Sequence, residues 1–355
     1  MGEDTGTGAI ATACPSRRPA RGKGMKGARM KAVLTGTLLL CSLLVLPLPG
    51  AADSSAEHMT WGRWSFDYEV RDNTGLSLRN VTYDGELVLG KASMPVLRVK
   101  YVKERIWWNP FTWFGSRADS GRCGPFQDRL RWQDLVPIVN CGNNKVCVES
   151  STLQGTQWLE LGIYARIGEY HIYQSWHLSH DGELRPVVQS RGLSCNTDHI
   201  HHPYWRFDFD IDGNGMDQVF VHDDGGSDRG WGPGWTKYTN ERNDVKVAAT
   251  HRTWFIRDQL TGHGVWLLPG DGYAPLKDDG ERDAFADHDV AIRRADPDED
   301  LPWVFGARGQ LGYDEDNQSV QEQDVVVWYV AHLPHMAALG PTKWLTLGPT
   351  LKIHR

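Results

Sequence analysis

From Trp61 onward the chain runs in short alternating stretches, broken every few positions by Gly, Asn, Asp or Pro. A period of two puts successive side chains on opposite faces of a strand. Residues 96–101, 170–178 and 325–330 are rich in β-branched and aromatic types that fill a pleated surface. The second of them ends in a turn signal, His180-Asp181-Gly182. No segment holds a 3.6-residue apolar period between caps, so helices are not expected to build the core. Many strands with frequent turns predict an all-β domain, a large β-sandwich or similar. No internal repeat or linker divides the body, and the acidic run at 296–300 reads as a solvated loop.

The 355 residues suffice for one large or two modest domains. Residues 1–52 hold seven Lys/Arg against two acids, ahead of an apolar run over 32–48 and the small residues Gly50-Ala51-Ala52. A basic start, a short apolar run and a small-residue site describe a secretory signal. The expectation is a signal peptide and basic leader at 1–52, a single domain at 53–355, a secreted product and no stable membrane anchor. The leader's +5 set against a chain total of -7 leaves -12 on the body. An acidic body argues against nucleic acid as a partner and suits a cationic ligand. Loss of the leader would leave Cys123, Cys141, Cys147 and Cys195, with three full disulfide pairings open. Cys141 and Cys147 bracket the turn-rich Gly142-Asn143-Asn144-Lys145 and are the easiest pair to join. The spacings lack the paired C-x-x-C of a zinc framework.

The densest polar cluster is Asp198-His199-Ile200-His201-His202. On a strand, His199 and His201 project to one face and form a half-site for copper or zinc. A third ligand must come from elsewhere, and His332 and His335 are available; the alternative is a strand decorated with exposed histidines. The run Asp208-x-Asp210-x-Asp212-Gly213-Asn214-Gly215-x-Asp217 puts clustered carboxylates on a glycine-bearing turn, as a hard cation requires. It is not an EF-hand, since Val219 stands where the closing Glu belongs, and a polar turn between strands is the plain alternative.

Taken together and in order, these residues resemble the copper amine oxidases, whose quinone cofactor is made from one of their own tyrosines. The similarity begins at Trp64-Ser65-Phe66-Asp67 and continues through Leu78-Arg79-Asn80-Val81-Thr82-Tyr83, Lys91-Ala92-Ser93-Met94-Pro95 and Val99-Lys100-Tyr101. Ala118-Asp119-Ser120-Gly121 resembles the segment bearing the catalytic base, with Arg122 where the family has an acid. Asn144-Lys145-Val146-Cys147 resembles a disulfide-bearing stretch, which supports a Cys141–Cys147 bond. Glu169-Tyr170-His171, with Trp176 and Asp181-Gly182 downstream, resembles the cofactor site, although the family has Asn before the tyrosine and an acid after it. His199-Ile200-His201 resembles the copper His-x-His, and Arg252-Thr253-Trp254 and Ala284-Phe285-Ala286 recur in order.

The resemblance implies the family's large catalytic β-sandwich, or supersandwich, with copper(II) held by His199, His201 and His332, or by His335 in its place. Spacing from Trp328 prefers His335; the local His-x-Pro and the distance to Gly348 prefer His332, which is taken as the third ligand. It further implies topaquinone derived from Tyr170, Asp119 as general base, and Tyr101 orienting the quinone. Asp208, Asp210 and Asp324 would form a second, calcium-type site. Substrates would be a primary amine and dioxygen, in a homodimer. Two classes of function are open: a secreted amine oxidase, or a non-catalytic relative that keeps the sandwich and its metals as a binding module.

Overall fold

The computed structural model describes residues 54–72, 74–101, 126–194, 198–225, 232–270, 288–295 and 317–355. The first five strands are β1 (Glu57–Trp61), β2 (Trp64–Arg71), β3 (Gly75–Tyr83), β4 (Glu86–Tyr101) and β5 (Phe126–Asp128). Next come β6 (Val146–Leu153), β7 (Thr156–Ile167), β8 (Tyr170–Ser179), β9 (Glu183–Arg191) and β10 (His199–Phe209). They are followed by β11 (Asp217–His222), β12 (Trp235–Tyr238), β13 (Arg242–Asp244), β14 (Thr253–Asp258) and β15 (Gly264–Leu268). The last five are β16 (Val290–Arg294), β17 (Val325–Val330), β18 (Leu333–His335), β19 (Leu345–Leu347) and β20 (Thr350–His354).

These strands form two ten-stranded antiparallel sheets. The first is ordered β1-β2-β3-β4-β10-β17-β16-β13, with β5 added to β4 and β18 to β10. The second is ordered β12-β11-β14-β15-β20-β9-β8-β7-β6, with β19 added to β9. This is the all-β sandwich that the alternating pattern predicts.

One continuous core lies between the sheets. Strand β9 shows the expected half-buried alternation, with Leu184 and Val188 inward. Strands β10 and β17 do not alternate, because both faces of their sheet are covered. Trp205, Phe207, Phe209, Val325, Val327 and Tyr329 enter the inter-sheet core, while Tyr204, Val326, Trp328 and Val330 form a second apolar cluster with Val96. Strands buried on both sides read as near-continuous apolar runs, which is how 325–330 appears in sequence.

The tryptophans also carry polar ties between the sheets. Trp64 Nε1 donates to the Ser179 carbonyl at 2.7 Å, and Trp176 Nε1 donates to the Leu76 carbonyl at 2.8 Å. Gln174 accepts from the Leu76 amide and donates to its carbonyl, at 3.0 and 2.8 Å. At the other end of the sandwich, Asp244 of β13 accepts from Tyr238, Arg252 and Trp254. Each tie satisfies a polar group that would otherwise be buried unpaired, a cost of about 1–3 kcal/mol.

Cys141 and Cys147 are joined as a disulfide, their Cα atoms 5.4 Å apart, closing the turn before β6. Cys123 and Cys195 lie outside the described residues, as do the leader and residues 284–286. Gly348, between β19 and β20, is where the chain packs closely alongside β9. A Cβ there would stand 1.7 Å from the Pro186 carbonyl oxygen, so no other residue fits without moving backbone. Gly348→Ala is therefore expected to lower stability by about 1–3 kcal/mol, measured as a denaturant midpoint shift with an unchanged slope.

Candidate metal centre

Strand pairing assembles the site. β10 lies between β4 and β18, with His199 opposite Tyr101 on one side and opposite His335 on the other. Because side chains alternate, His199 and His201 share the inner face, and the antiparallel register adds His335 to it. All three imidazoles are at most 2% exposed, and one ligand atom from each falls within 4.8 Å of the others. From the facing sheet, Tyr170 at the start of β8 brings its hydroxyl to 3.2 Å from His199 Nε2. The Tyr170 ring stands edge-on to His201 with centres 5.0 Å apart.

The end of β9 closes on the tyrosine through Gly192, whose φ is +126°. A Cβ there would lie 2.3 Å from the Glu169 carbonyl oxygen and 2.8 Å from Tyr170 Cα. The missing side chain lets the following residues reach the ring, and the Ser194 amide donates to the Tyr170 hydroxyl at 3.4 Å.

The ring positions distinguish metal geometries. An ion at ~2.0 Å from each imidazole nitrogen sits ~3.2 Å from each ring centre, so centres are ~4.5 Å apart for ligands at right angles, ~5.2 Å for tetrahedral ones and ~6.4 Å for opposed ones. His199 is 4.8 Å from both His201 and His335, which are 6.4 Å from each other. That T-shaped set suits a tetragonal ion such as copper(II) better than tetrahedral zinc. His335 Nε2 donates to the Gly340 carbonyl at 3.2 Å, leaving its buried Nδ1 as the lone-pair atom. The donor set and its geometry thus fit copper, and the Tyr170 hydroxyl lies beside it.

Burial, and then the neighbouring His199, His335 and His202, hold the His201 pKa well below 6.5. It is therefore neutral at pH 7, as a metal ligand must be.

His332, expected as the third ligand, is not in this cluster, and its alternative His335 takes the place. Ala331, Leu333 and His335 follow the inward phase of Val325, Val327 and Tyr329, and His332 falls on the other phase. There it contacts His202 and Asp289. Asp119 lies outside the described residues, and Tyr101 is described only by its backbone, opposite His199.

The three carboxylates expected to hold calcium do not converge within the same 4.8 Å. Asp208 turns to Arg206, with Nη1 at 3.3 Å. Burial, followed by Asp324 and Asp208, raises the Asp210 pKa. Deeper still is Asp217, a fully buried carboxyl on β11 that the sequence showed only as the last acid of the glycine-bearing run. Burial, then the charges of Asp210, Asp258 and Asp324, push it up to about 9 against a pull from the Ile211 amide. Among the described residues, the other clusters of potential ligands are Cys141–Cys147 with Glu149, and Glu86, Asp212 and His263. The first is a disulfide, and the second is occupied by the Arg355 guanidinium.

No family model and no curated protein matches the sequence. The fold does match solved structures. A copper-containing benzylamine oxidase from Hansenula polymorpha superposes with a TM-score of 0.61 at 14% identity, over 89% of this chain and 64% of that one. An amine oxidase from Aspergillus nidulans gives 0.61 at 15%, over 91% and 55%. The lysyl oxidase of Pichia pastoris gives 0.55 at 15%, over 84% and 52%. The chain thus spans less than two thirds of the length of each.

Two pH dependences follow. The unfolded chain protonates His201 near 6.5 while the folded one keeps it neutral, so stability should fall as pH drops below about 6.5. Asp217 acts at the other end: its folded pKa is raised, so it costs stability as pH climbs from about 4 towards 9. Asp217→Asn should flatten that decline and raise stability at pH 8 by about 1–3 kcal/mol, read from denaturant melts across pH. With its two sheets and its strand order, the chain has the fold of the copper amine oxidase structures.

Proposed function

We propose that the protein is a secreted copper- and quinone-dependent oxidase of primary amines. The observation that carries this reading is the buried Tyr170 hydroxyl at 3.2 Å from His199 Nε2, beside a T-shaped histidine triad. His199, His201 and His335 would hold the copper. When present, copper and the tyrosine-derived quinone supply the oxidation that turns an amine, dioxygen and water into aldehyde, ammonia and hydrogen peroxide.

The residues of this chain do the rest. The Ser194 amide and the tight passage at Gly192 orient the Tyr170 ring. Burial at the sheet interface excludes water from it. Asp119 serves as the base that takes the substrate α-proton, and Tyr101, paired beside His199, steadies the ring. The acidic body favours a protonated amine over anionic ligands. Export by the leader at 1–52, a single domain at 53–355, calcium at Asp208, Asp210 and Asp324, and a homodimer belong to the same reading.

A binding module without catalysis is the second reading, favoured by Glu169 and His171 on either side of the tyrosine and by Arg122 near Asp119. Aerobic copper loading separates the two. Under the oxidase reading one copper binds per chain, a redox-cycling stain turns positive, and phenylhydrazine adds to the Tyr170 peptide by mass. Tyr170→Phe abolishes both signals while retaining copper, and His335→Gln loses the copper. A Tyr170 peptide of unaltered mass after loading overturns the oxidase in favour of the module.

A further inference from the structure

Along one edge strand β10 pairs with two successive strands in one unbroken register. Residues 204–209 pair with 330–325 of β17, whereas 199–201 pair with 335–333 of β18. The gap between them falls at His202 and Pro203, opposite His332 and Ala331. Pro203 has no amide hydrogen to contribute to a ladder. The backbone bond found there runs from the Ala331 amide to the Pro203 carbonyl, at 3.1 Å. Strand β18 is only three residues long. The two residues between β17 and β18 lie outside the paired strands, and a one-residue bulge there would put β18 out of step with β17.

Side chains join the strands at this point. His202 and His332 meet Nδ1 to Nδ1 at 2.9 Å, with ring centres 5.1 Å apart. Head-on contact of two imidazoles through an N–H···N bond spaces the centres by ~5.3 Å, whereas convergence on an ion at this nitrogen spacing would bring them to ~4.6 Å. The contact is therefore a hydrogen bond rather than an empty chelate.

Its direction is set from behind. His332 Nε2 donates to Asp289 Oδ1 at 2.5 Å, so His332 Nδ1 accepts the proton of His202 Nδ1. Burial works to raise the Asp289 pKa, but the His332 bond and the Lys246 charge outweigh it and keep the carboxylate ionised. The Lys246 amide donates to Asp289 Oδ2 at 2.7 Å, and its ammonium lies 3.7 Å from Oδ1. In strand order β10-β17-β16-β13, this chain of bonds crosses the ends of four neighbours on one line.

Register decides whether the triad exists. A slip of one residue between β18 and β10 would turn His335 to the outer face and bring Pro334 inward. We propose that His332 is a positioning residue: held by Asp289 and bonded to His202, it pins the register that sets His335 opposite His199. The copper arm of the test below rests on the metal reading of the triad; the register arm does not.

Ile200 and Pro334 are Cα partners, at a spacing that a disulfide can bridge. In the full chain without metal, Ile200→Cys with Pro334→Cys should crosslink nearly completely on mild oxidation, mapped by mass. Adding His332→Leu should cut the yield several-fold. His332→Gln, whose amide can still donate to Asp289 and accept from His202, should restore most of it. In copper titrations of the otherwise native chain, His332→Leu and Asp289→Asn should each weaken binding by about 10–100-fold and change the copper hyperfine splitting in electron paramagnetic resonance. Loss of thermal stability in His332→Leu with native crosslinking, copper affinity and spectrum would overturn the proposal, leaving a plain buried hydrogen bond. If the native chain takes up no copper while crosslinking still depends on His332, the metal reading fails and the register assignment stands.

Discussion

Everything in the candidate centre depends on how β10 is held between its neighbours. It pairs with β4 on one side and with β17 and then β18 on the other, and those ladders place His199 beside both Tyr101 and His335. Because side chains alternate strictly, a strand pairing is a decision about which face a ligand occupies. The histidines need no loop to bring them together. They sit on the rigid centre of a sheet whose both faces are packed, where a ligand position can be held within a fraction of an ångström.

The two faces of that sheet do different work. On the inner face, His199, His201 and His335 converge in the geometry of a tetragonal ion, beside a tyrosine from the opposite sheet. On the outer face, His202 and His332 meet head-on in the geometry of a hydrogen bond. The same side-chain type, a residue or three apart, is a candidate ligand on one side and a hydrogen-bonding partner on the other. The difference lies in what each second nitrogen touches: His335 Nε2 has a carbonyl and His332 Nε2 a carboxylate, and each fixes which nitrogen keeps its lone pair.

Much of this was legible in the residues. Alternation over 170–178 and the His-x-His spacing foretold a strand bearing Tyr170 and a strand bearing two histidines on one face, and both strands are present. The choice between His332 and His335 was not legible, for a physical reason. Residues 325–330 are apolar on both faces, so hydrophobicity carries no record of which phase points inward. Ala331 and Leu333, small and apolar in step with His335, were the available signal, and a local His-x-Pro outweighed it. The neighbours of the carboxylates were not legible either: spacing along a turn says nothing of an arginine two residues back, and Arg206 lies 3.3 Å from Asp208. Nor does the run of acids disclose that Asp217 is the deepest of them.

Tyr170 belongs to one sheet and the histidines to the other, with the sandwich core between. Neither sheet by itself contains the pair. A chain that has formed its hairpins but not yet docked its layers is therefore chemically mute: the phenol has no imidazole beside it and no wall against water. The distance from Tyr170 to His199 is in effect a gauge of completed assembly. Any self-modification that depends on it can begin only after the last long-range packing step, so a modified tyrosine would be a permanent mark that a given molecule had once folded correctly.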